Sequence, residues 1–381
     1  MCIRDSYNLI MDSDSIDSAN FSKLLLGPGP SNVPQRILKA ISNNCISHLD
    51  PDFFDILDKI SENLKHLFKT NNKTTFAISG TGSAGMEAAF ANIIEKDDKA
   101  LIFSSGLFGD RMVDVASRYG GRVIEVKKEW GKNFKFEEMK EAIDRDKDLK
   151  VVAIVHAETS TGSLQPIEEL GEYLKSRDII FIVDSVTSFT GINLEVDNWS
   201  IDVCYSGTQK CLNVPPGLSP ITFSEKALYK NKKRKEKVQS WYLDINLLKN
   251  YHEESRIYHH TAPVNMLYGF NEGLKICIEE GLEERFSRHQ KVSKYFDNIV
   301  KSTDFRFFVD KESESLPMLK SLVLPKNIKD DLRFEILKND RIEIGGGLGH
   351  TKGLIWRVGF MGYNAEIKNV DTFFRVLNSY V

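Results

Sequence analysis

The stretch TTFAISGTGSAGMEAAFANII, Thr74 to Ile94, carries the pattern that decides the fold. Thr74–Ile78 is a short run rich in β-branched and apolar residues, which predicts a strand, and Ala84–Ile94 repeats apolar side chains at helical spacing. Between them Gly80, Gly82 and Gly85 spell GxGxxG. A strand, a glycine turn and a helix in that order is the opening of a βαβ unit.

The alternation continues downstream. Strands are predicted over Ala100–Phe103, Arg122–Val126, Val151–Val155, Ile179–Val183 and Ile201–Tyr205, with helices over Asp110–Tyr119, Phe136–Ile143 and Ile167–Lys175. Such alternation implies crossover connections and a largely parallel sheet covered on both faces, which explains doubly buried runs such as IIFIVD. After Gly207 the periodicity weakens through a proline-rich loop. A long helical region follows from Val264 to Val300, then short strands (Phe305–Val309, Ser321–Leu324, Arg341–Ile344, Ile355–Gly359) alternate with helices at Lys329–Lys338 and Ala365–Ser379. We therefore expect a large domain over residues 21–281 and a smaller α/β domain over 282–381, preceded by a disordered or non-native leader over 1–20, which is polar and lacks periodicity.

Composition excludes several classes. The chain has 381 residues, 41% hydrophobic and 28% charged, with a formal net charge of -3, so nothing draws it generally toward nucleic acid or membrane. No apolar run approaches the ~20 residues of a membrane span. Five scattered cysteines without a CxxC pair argue against a disulfide framework or a zinc site and fit a reducing cytoplasm. The basic run KNKKRKEK (230–237) lacks interleaved aromatics and reads as a solvated helix. His48, His156, His259 and His260 do not form a metal-ligand spacing, so no metal is expected. Cys211 reads as a small buried residue.

The glycine loop admits two ligands. A dinucleotide site would need an acidic residue roughly 20 positions later to hold the ribose. The next strand, ALIF, ends instead in Ser104, Ser105 and Gly106. A nicotinamide oxidoreductase thus loses its second support, whereas a phosphate held by helix-terminal amides and the hydroxyls of Thr81 and Ser83 does not.

Two further residues sit at strand ends on the same predicted edge. Asp184 closes the apolar strand in FIVDSVTSF, and Lys210 follows the strand Ile201–Tyr205 in YSGTQKCLNVPPG. In a parallel sheet, ligands bind outside the carboxyl ends of the strands. A phosphate cradle, a carboxylate and a lysine there suit pyridoxal 5'-phosphate. The lysine condenses with the aldehyde, the carboxylate keeps the pyridine nitrogen protonated, and the ring becomes an electron sink. Lys210 is also the natural base at the substrate α carbon if its pKa falls well below ~10.4. Phe108, in SSGLFGDR, is the candidate to stack on the ring.

These residues lie in blocks that resemble the class V pyridoxal-phosphate aminotransferases, within them the alanine:glyoxylate and serine:glyoxylate or serine:pyruvate group. The blocks are LLLGPGPSNVP (24–34), SGTGSAGMEAA (79–89), HAETSTG (156–162), VDSVTS (183–188), YSGTQKCLNVPPG (205–217), YHHTAPVN (258–265), GGGLG (345–349) and WRVGFMG (356–362), in the family's order over nearly the whole chain from Leu24. The resemblance implies the aspartate aminotransferase-like fold (fold type I): a large domain with a mostly parallel sheet plus the smaller C-terminal domain. It implies Lys210 as the covalent anchor, Gln209 beside it near the phosphate, and Asp184 at the pyridine nitrogen. Thr81, Gly82 and Ser83 would hold the phosphate, Thr159 would reach the phenolic oxygen, and Val186 would pack under the ring opposite Phe108. Arg357 would clamp the substrate carboxylate, with Gly29 lining the substrate pocket. Tyr258 and Thr261 would reach the phosphate of a neighbouring subunit, making a homodimer with shared active sites. Phe108 stands where some members carry Trp, and Ser83 where some carry His, which leaves the subgroup open.

The implied reaction is a two-step exchange from alanine or serine to glyoxylate or pyruvate. Related members with 2-aminoethylphosphonate or ureidoglycine as donor are the alternative. Cysteine desulfurase fits less well, because no cysteine sits in a suitable mobile loop near Lys210.

Overall fold

In a computed structural model that describes residues 23–253 and 255–381, the expected alternation becomes a seven-stranded sheet. Its strands are β1 (Thr74–Ser79), β2 (Lys99–Ser104), β3 (Arg122–Lys127), β4 (Leu149–Val155), β5 (Ile180–Asp184), β6 (Val203–Tyr205) and β7 (Leu218–Phe223). The spatial order is β1-β7-β6-β5-β4-β2-β3. All run the same way except β7, which is antiparallel to both its neighbours. The carboxyl ends of β1, β2, β4, β5 and β6 therefore share one edge. The leader expected over residues 1–20 lies outside the described residues.

Alternate side chains feed two cores. On β2 and β5, Leu101, Phe103, Phe181 and Val183 join one apolar cluster, while Ala100, Ile102, Ile180 and Ile182 join the other. This period of two, buried on both faces, is what a parallel sheet under two helical layers requires. Helix α1 (Gly82–Ile93) follows β1, and α2 (Leu107–Arg118) follows β2.

The long helical region breaks at Gly281, whose φ of 83° lies where glycine is favoured, into α3 (Val264–Glu280) and α4 (Leu282–Val300). A second sheet follows, built from β8 (Arg306–Phe307), β9 (Leu319–Val323), β10 (Gly345–Gly346) and β11 (Ile355–Gly359) in the order β8-β9-β11-β10. It packs with α4 and the helix Ile367–Leu377 around Phe296, Trp356 and Phe374. The segment Leu24–Leu25 pairs with Ile342–Glu343 beside this sheet, and Leu26 is buried in the same cluster. Residues 28–31 then cross to the lysine loop, where Ser31 Oγ donates to the Lys210 carbonyl at 2.8 Å.

Several elements depart from expectation, among them the helix Pro51–Phe68, which precedes the predicted alternation. Strand β7 stands in what the sequence presents as a proline-rich loop. Helix α2 begins at Leu107, three residues before the predicted start. In the basic run, the helix Glu225–Lys232 covers only the first residues; Lys230 is ion-paired with Asp98 at 3.0 Å, and Asn231 is buried.

Candidate active site

Lys210 lies in the loop that follows Tyr205, the last residue of β6, and is 7% exposed. Its ammonium donates to the Pro28 carbonyl. Burial pushes its pKa down to about 8, with the Arg357 charge acting the same way. Gly29 closes over it with a φ of 106°, and a Cβ there would sit 2.9 Å from Lys210 Nζ. Any larger residue would collide with the amine, so the glycine leaves Nζ room to reach into the crevice.

Asp184 ends β5, is 3% exposed, and pairs in register with Tyr205. Its Oδ1 accepts from the Val186 amide at 2.8 Å and its Oδ2 from the Tyr205 hydroxyl at 3.0 Å. Burial raises its pKa to about 6, against the pull of those two donors. The carboxylate is thus largely ionised at neutral pH, yet eager for a positive partner.

Asp184 and Lys210 face a cavity with about 540 Å³ of free space, part of it open to solvent. Thr81, Gly82, Ser83, Phe108, Thr159, Val186 and Gln209 also line it. The glycine loop delivers Gly82 and Ser83 as the first residues of α1, where amides have no intrahelical acceptor. Thr81 is the N-cap, yet its side chain makes no capping bond. The cradle is tight, since a Cβ on Gly82 would lie 3.2 Å from Val186 Cγ2. Gln209 Oε1 is buried without a partner among the described residues.

Arg357 and Gly29 do not line this cavity. Arg357, on β11 between Ser321 and Gly345, is 6% exposed. Its Nε donates to the Gly346 carbonyl at 2.8 Å and its Nη1 to the Thr159 carbonyl at 3.1 Å. Burial brings its pKa down to about 10, opposed by Glu343 and Glu158, so it stays charged. It is close enough to Lys210 for the two cations to feel each other. Tyr258 and Thr261 lie apart from the cavity and are exposed, Tyr258 at 57%.

Sequence reasoning missed three residues. Tyr205 orients Asp184, Arg111 lines the cavity with its guanidinium 4.9 Å from the Phe108 ring centre, and Glu158 reaches back to the start of α2. Tyr205 and Glu158 act through contacts between segments far apart in sequence, whereas Arg111 sits one helical turn past Phe108. The visible signal for Glu158 was a lone acid among small residues after an apolar strand.

The donor set fits pyridoxal 5'-phosphate. A carboxylate stands ready for a ring nitrogen, an amine lies in the same cavity, amides and a free hydroxyl wait at a helix N-terminus, and Phe108 and Val186 offer apolar walls. Among the described residues no group of His, Cys, Asp and Glu could hold a metal, and no helix is long and apolar enough to cross a membrane.

A family model described as aminotransferase class-V matches residues 24–373. The alanine–glyoxylate aminotransferase of Drosophila melanogaster is 39% identical over 363 residues, covering 94% of this chain and 92% of that protein. The (S)-ureidoglycine–glyoxylate transaminase of Bacillus subtilis is 36% identical over 367 residues, 91% of this chain and 88% of that one. Among solved structures, an alanine–glyoxylate aminotransferase from Nostoc sp. superposes with a TM-score of 0.92 at 39% identity, covering 100% of this chain and 99% of the other.

Proposed function

The chain belongs to the class-V aminotransferases, with pyridoxal 5'-phosphate as cofactor, and from that premise we propose that it moves an amino group from a small amino acid, alanine or serine, to glyoxylate or pyruvate. The donor leaves as an oxo acid before the acceptor enters, so one set of side chains serves both halves of a ping-pong exchange. The observation that carries the reading is the buried Lys210 amine in one cavity with Asp184 and the open N-terminus of α1.

When bound, the cofactor supplies the carbon that holds the amino group and the ring that takes up electrons from the substrate α carbon. Lys210 anchors it and carries the proton at the α carbon; with a pKa of about 8, the amine is a base where an ordinary lysine is not. Asp184, oriented by Tyr205 and the Val186 amide, holds the positive charge at the ring nitrogen. Thr81, Gly82, Ser83 and Gln209 take the phosphate, Phe108 and Val186 take the two ring faces, and Thr159 takes the phenolic oxygen. Arg357 binds the substrate carboxylate with the guanidinium edge that Gly346 and Thr159 leave free, a task suited to its planar fork. Gly29 keeps space beside the amine. Residues 282–381 form the smaller domain that brings Arg357 to the site of the larger one.

Glyoxylate is the acceptor in the names of both relatives above, whereas the donors differ. The similarity to the Bacillus subtilis protein supports a second reading with ureidoglycine as donor. The reading also includes a homodimer whose Tyr258 and Thr261 complete the partner's phosphate site, and a cytoplasmic location, which the free buried thiols of Cys204, Cys211 and Cys277 suit.

Cofactor-supplemented protein is expected to absorb in the visible, and borohydride to fix the label on Lys210. A colourless protein, or a label elsewhere, overturns the assignment. Alanine, serine and (S)-ureidoglycine, each assayed with glyoxylate and pyruvate, then decide the donor: turnover of ureidoglycine alone replaces the first reading by the second.

A further inference from the structure

We propose that Glu158 is a positioning residue of this site, a buried carboxylate that locks the aromatic wall at Phe108, the wall at Thr159 and the Arg357 clamp into one rigid piece. The proposal rests on the cofactor reading above and adds a residue to it.

Helix α2 starts behind Gly106, an N-cap with no side chain to satisfy the amides that follow. Glu158 does so from the next-but-one strand end. Its Oε2 accepts from the amides of Phe108 at 3.1 Å and Gly109 at 3.3 Å. Its Oε1 accepts from the Ser160 amide at 3.0 Å and the Ser160 hydroxyl at 2.5 Å. The Leu107 amide in turn donates to Ser160 Oγ at 3.0 Å. Because the hydroxyl oxygen accepts from Leu107, its own proton points to Glu158. A Cβ on Gly106 would fall 2.3 Å from Glu158 Cγ, so the helix start is pressed directly against the acid.

Every proton in this cluster has one direction, and both carboxylate oxygens are used only as acceptors. An ionised carboxylate is the one side-chain head group that offers two such oxygens. A glutamine would turn its NH2 against backbone N–H groups on one side or the other. Burial pushes the Glu158 pKa up, and the donors from Ser160, Gly109 and Phe108 work against that.

Thr159 lies between the two bridge residues, so its position follows theirs, and its carbonyl receives Arg357 Nη1. Phe108 is held by its own amide. One acid thus sets the separation of the stacking wall from the opposite wall and from the carboxylate clamp. Errors of about 1 Å at such contacts cost up to ~100-fold in rate.

The test compares full-length wild type, Glu158→Gln and Ser160→Ala. In the unloaded protein, hydrogen exchange at the Phe108 and Gly109 amides should accelerate about tenfold or more in Glu158→Gln. With cofactor and borohydride, all three should still label at Lys210. The visible circular dichroism of loaded Glu158→Gln should fall by about half, and its kcat by ~10- to 100-fold, with KM changing less than ~3-fold, because orientation rather than binding is lost. Ser160→Ala keeps the carboxylate and should shift the same readouts by a smaller factor; it decides the matter if Glu158→Gln does not fold. Variants that lose thermal stability but keep the dichroism and kcat of wild type make Glu158 an ordinary helix cap and overturn the proposal. A wild type that fails to label at Lys210 overturns the cofactor reading instead, while unchanged exchange at Phe108 and Gly109 still overturns the positioning role.

Discussion

Asp184 shows at the residue scale how a site is held in readiness at the expense of stability. Its pKa of about 6 in the folded protein is above the ~3.9 of an unfolded chain. A raised carboxyl pKa contributes stability that is fully present below the unfolded value and is lost as pH rises through the folded one. At neutral pH the unloaded protein therefore carries a penalty on the order of 2–3 kcal/mol for keeping this acid ionised and buried. Asp184→Asn removes the charge and keeps an oxygen for the Val186 amide. Its urea midpoint in the unloaded state should exceed that of wild type at pH 7.5, and the gap should close toward pH 4. The same variant should bind cofactor more weakly, since it lacks the charge proposed to meet the ring nitrogen. A midpoint lowered equally at both pH values would show that the Tyr205 hydrogen bond, not the charge, dominates Asp184 energetics.

At the element scale, what the sequence made legible was whatever chemistry or periodicity demands locally. The strands buried on both faces, the glycine turn before α1, and Asp184 and Lys210 at strand ends could be read because residue type alone carries them. Strand β7 could not. Its LSPITF places Pro220 where an apolar run would be expected, and Ser219 and Thr222 are buried through hydrogen bonds to the Ser206 carbonyl at 2.6 Å and the Thr75 hydroxyl at 2.8 Å. The proline is tolerated because pairing with β6 ends at Ile221 opposite Tyr205, so its missing N–H falls where the ladder stops. The start of α2 was equally hidden, because its cap comes from Glu158. The first turns of α4 are a third case. Arg285, buried at 2% exposure, donates to the carbonyls of Thr190 and Cys211 and pairs with Glu280. One turn on, Arg288 donates to the carbonyls of Gly362 and Ala365, and His289 Nε2 accepts from the Gly362 amide at 2.8 Å. That last bond fixes the histidine as the neutral Nδ1–H tautomer, in line with a pKa brought down to about 3 by burial. These residues tie the loop after Lys210 to the turn after β11, which carries Arg357. Arg285→Leu leaves the buried carbonyls of Thr190 and Cys211 without their donor, while Glu280 keeps Arg288, and should cost about 2–3 kcal/mol in denaturant unfolding. A loss below about 1 kcal/mol would mean that water replaces the guanidinium there.

At the scale of the whole molecule, the face beside the glycine loop is poorly suited to open water. Trp241, Ile257 and Tyr258 are 62%, 58% and 57% exposed. Trp241 stacks on His259 with ring centres 4.4 Å apart, and Tyr242 donates to the Ser79 carbonyl at 2.8 Å, next to the turn that enters α1. Clustered exposed aromatics mark a contact surface. A second copy of the chain related by a twofold axis would cover it, and would bring each Tyr258 and Thr261 toward the other subunit's phosphate cradle. The solution mass should then be twice the 43.4 kDa of one chain. Mass alone does not show a shared site, but complementation does. Subunits carrying Lys210→Ala should be inactive, and subunits carrying Tyr258→Phe with Thr261→Ala should hold cofactor poorly. In a mixed dimer with shared sites, one site combines both defects, whereas the other has an intact Lys210 facing an intact Tyr258 and Thr261. Random remixing of equal amounts should therefore restore roughly a quarter of wild-type activity, because half the dimers are mixed and each has one complete site. If each site is built within one subunit, no mixed dimer contains a complete site, and remixing restores nothing beyond the residual activity of the second variant.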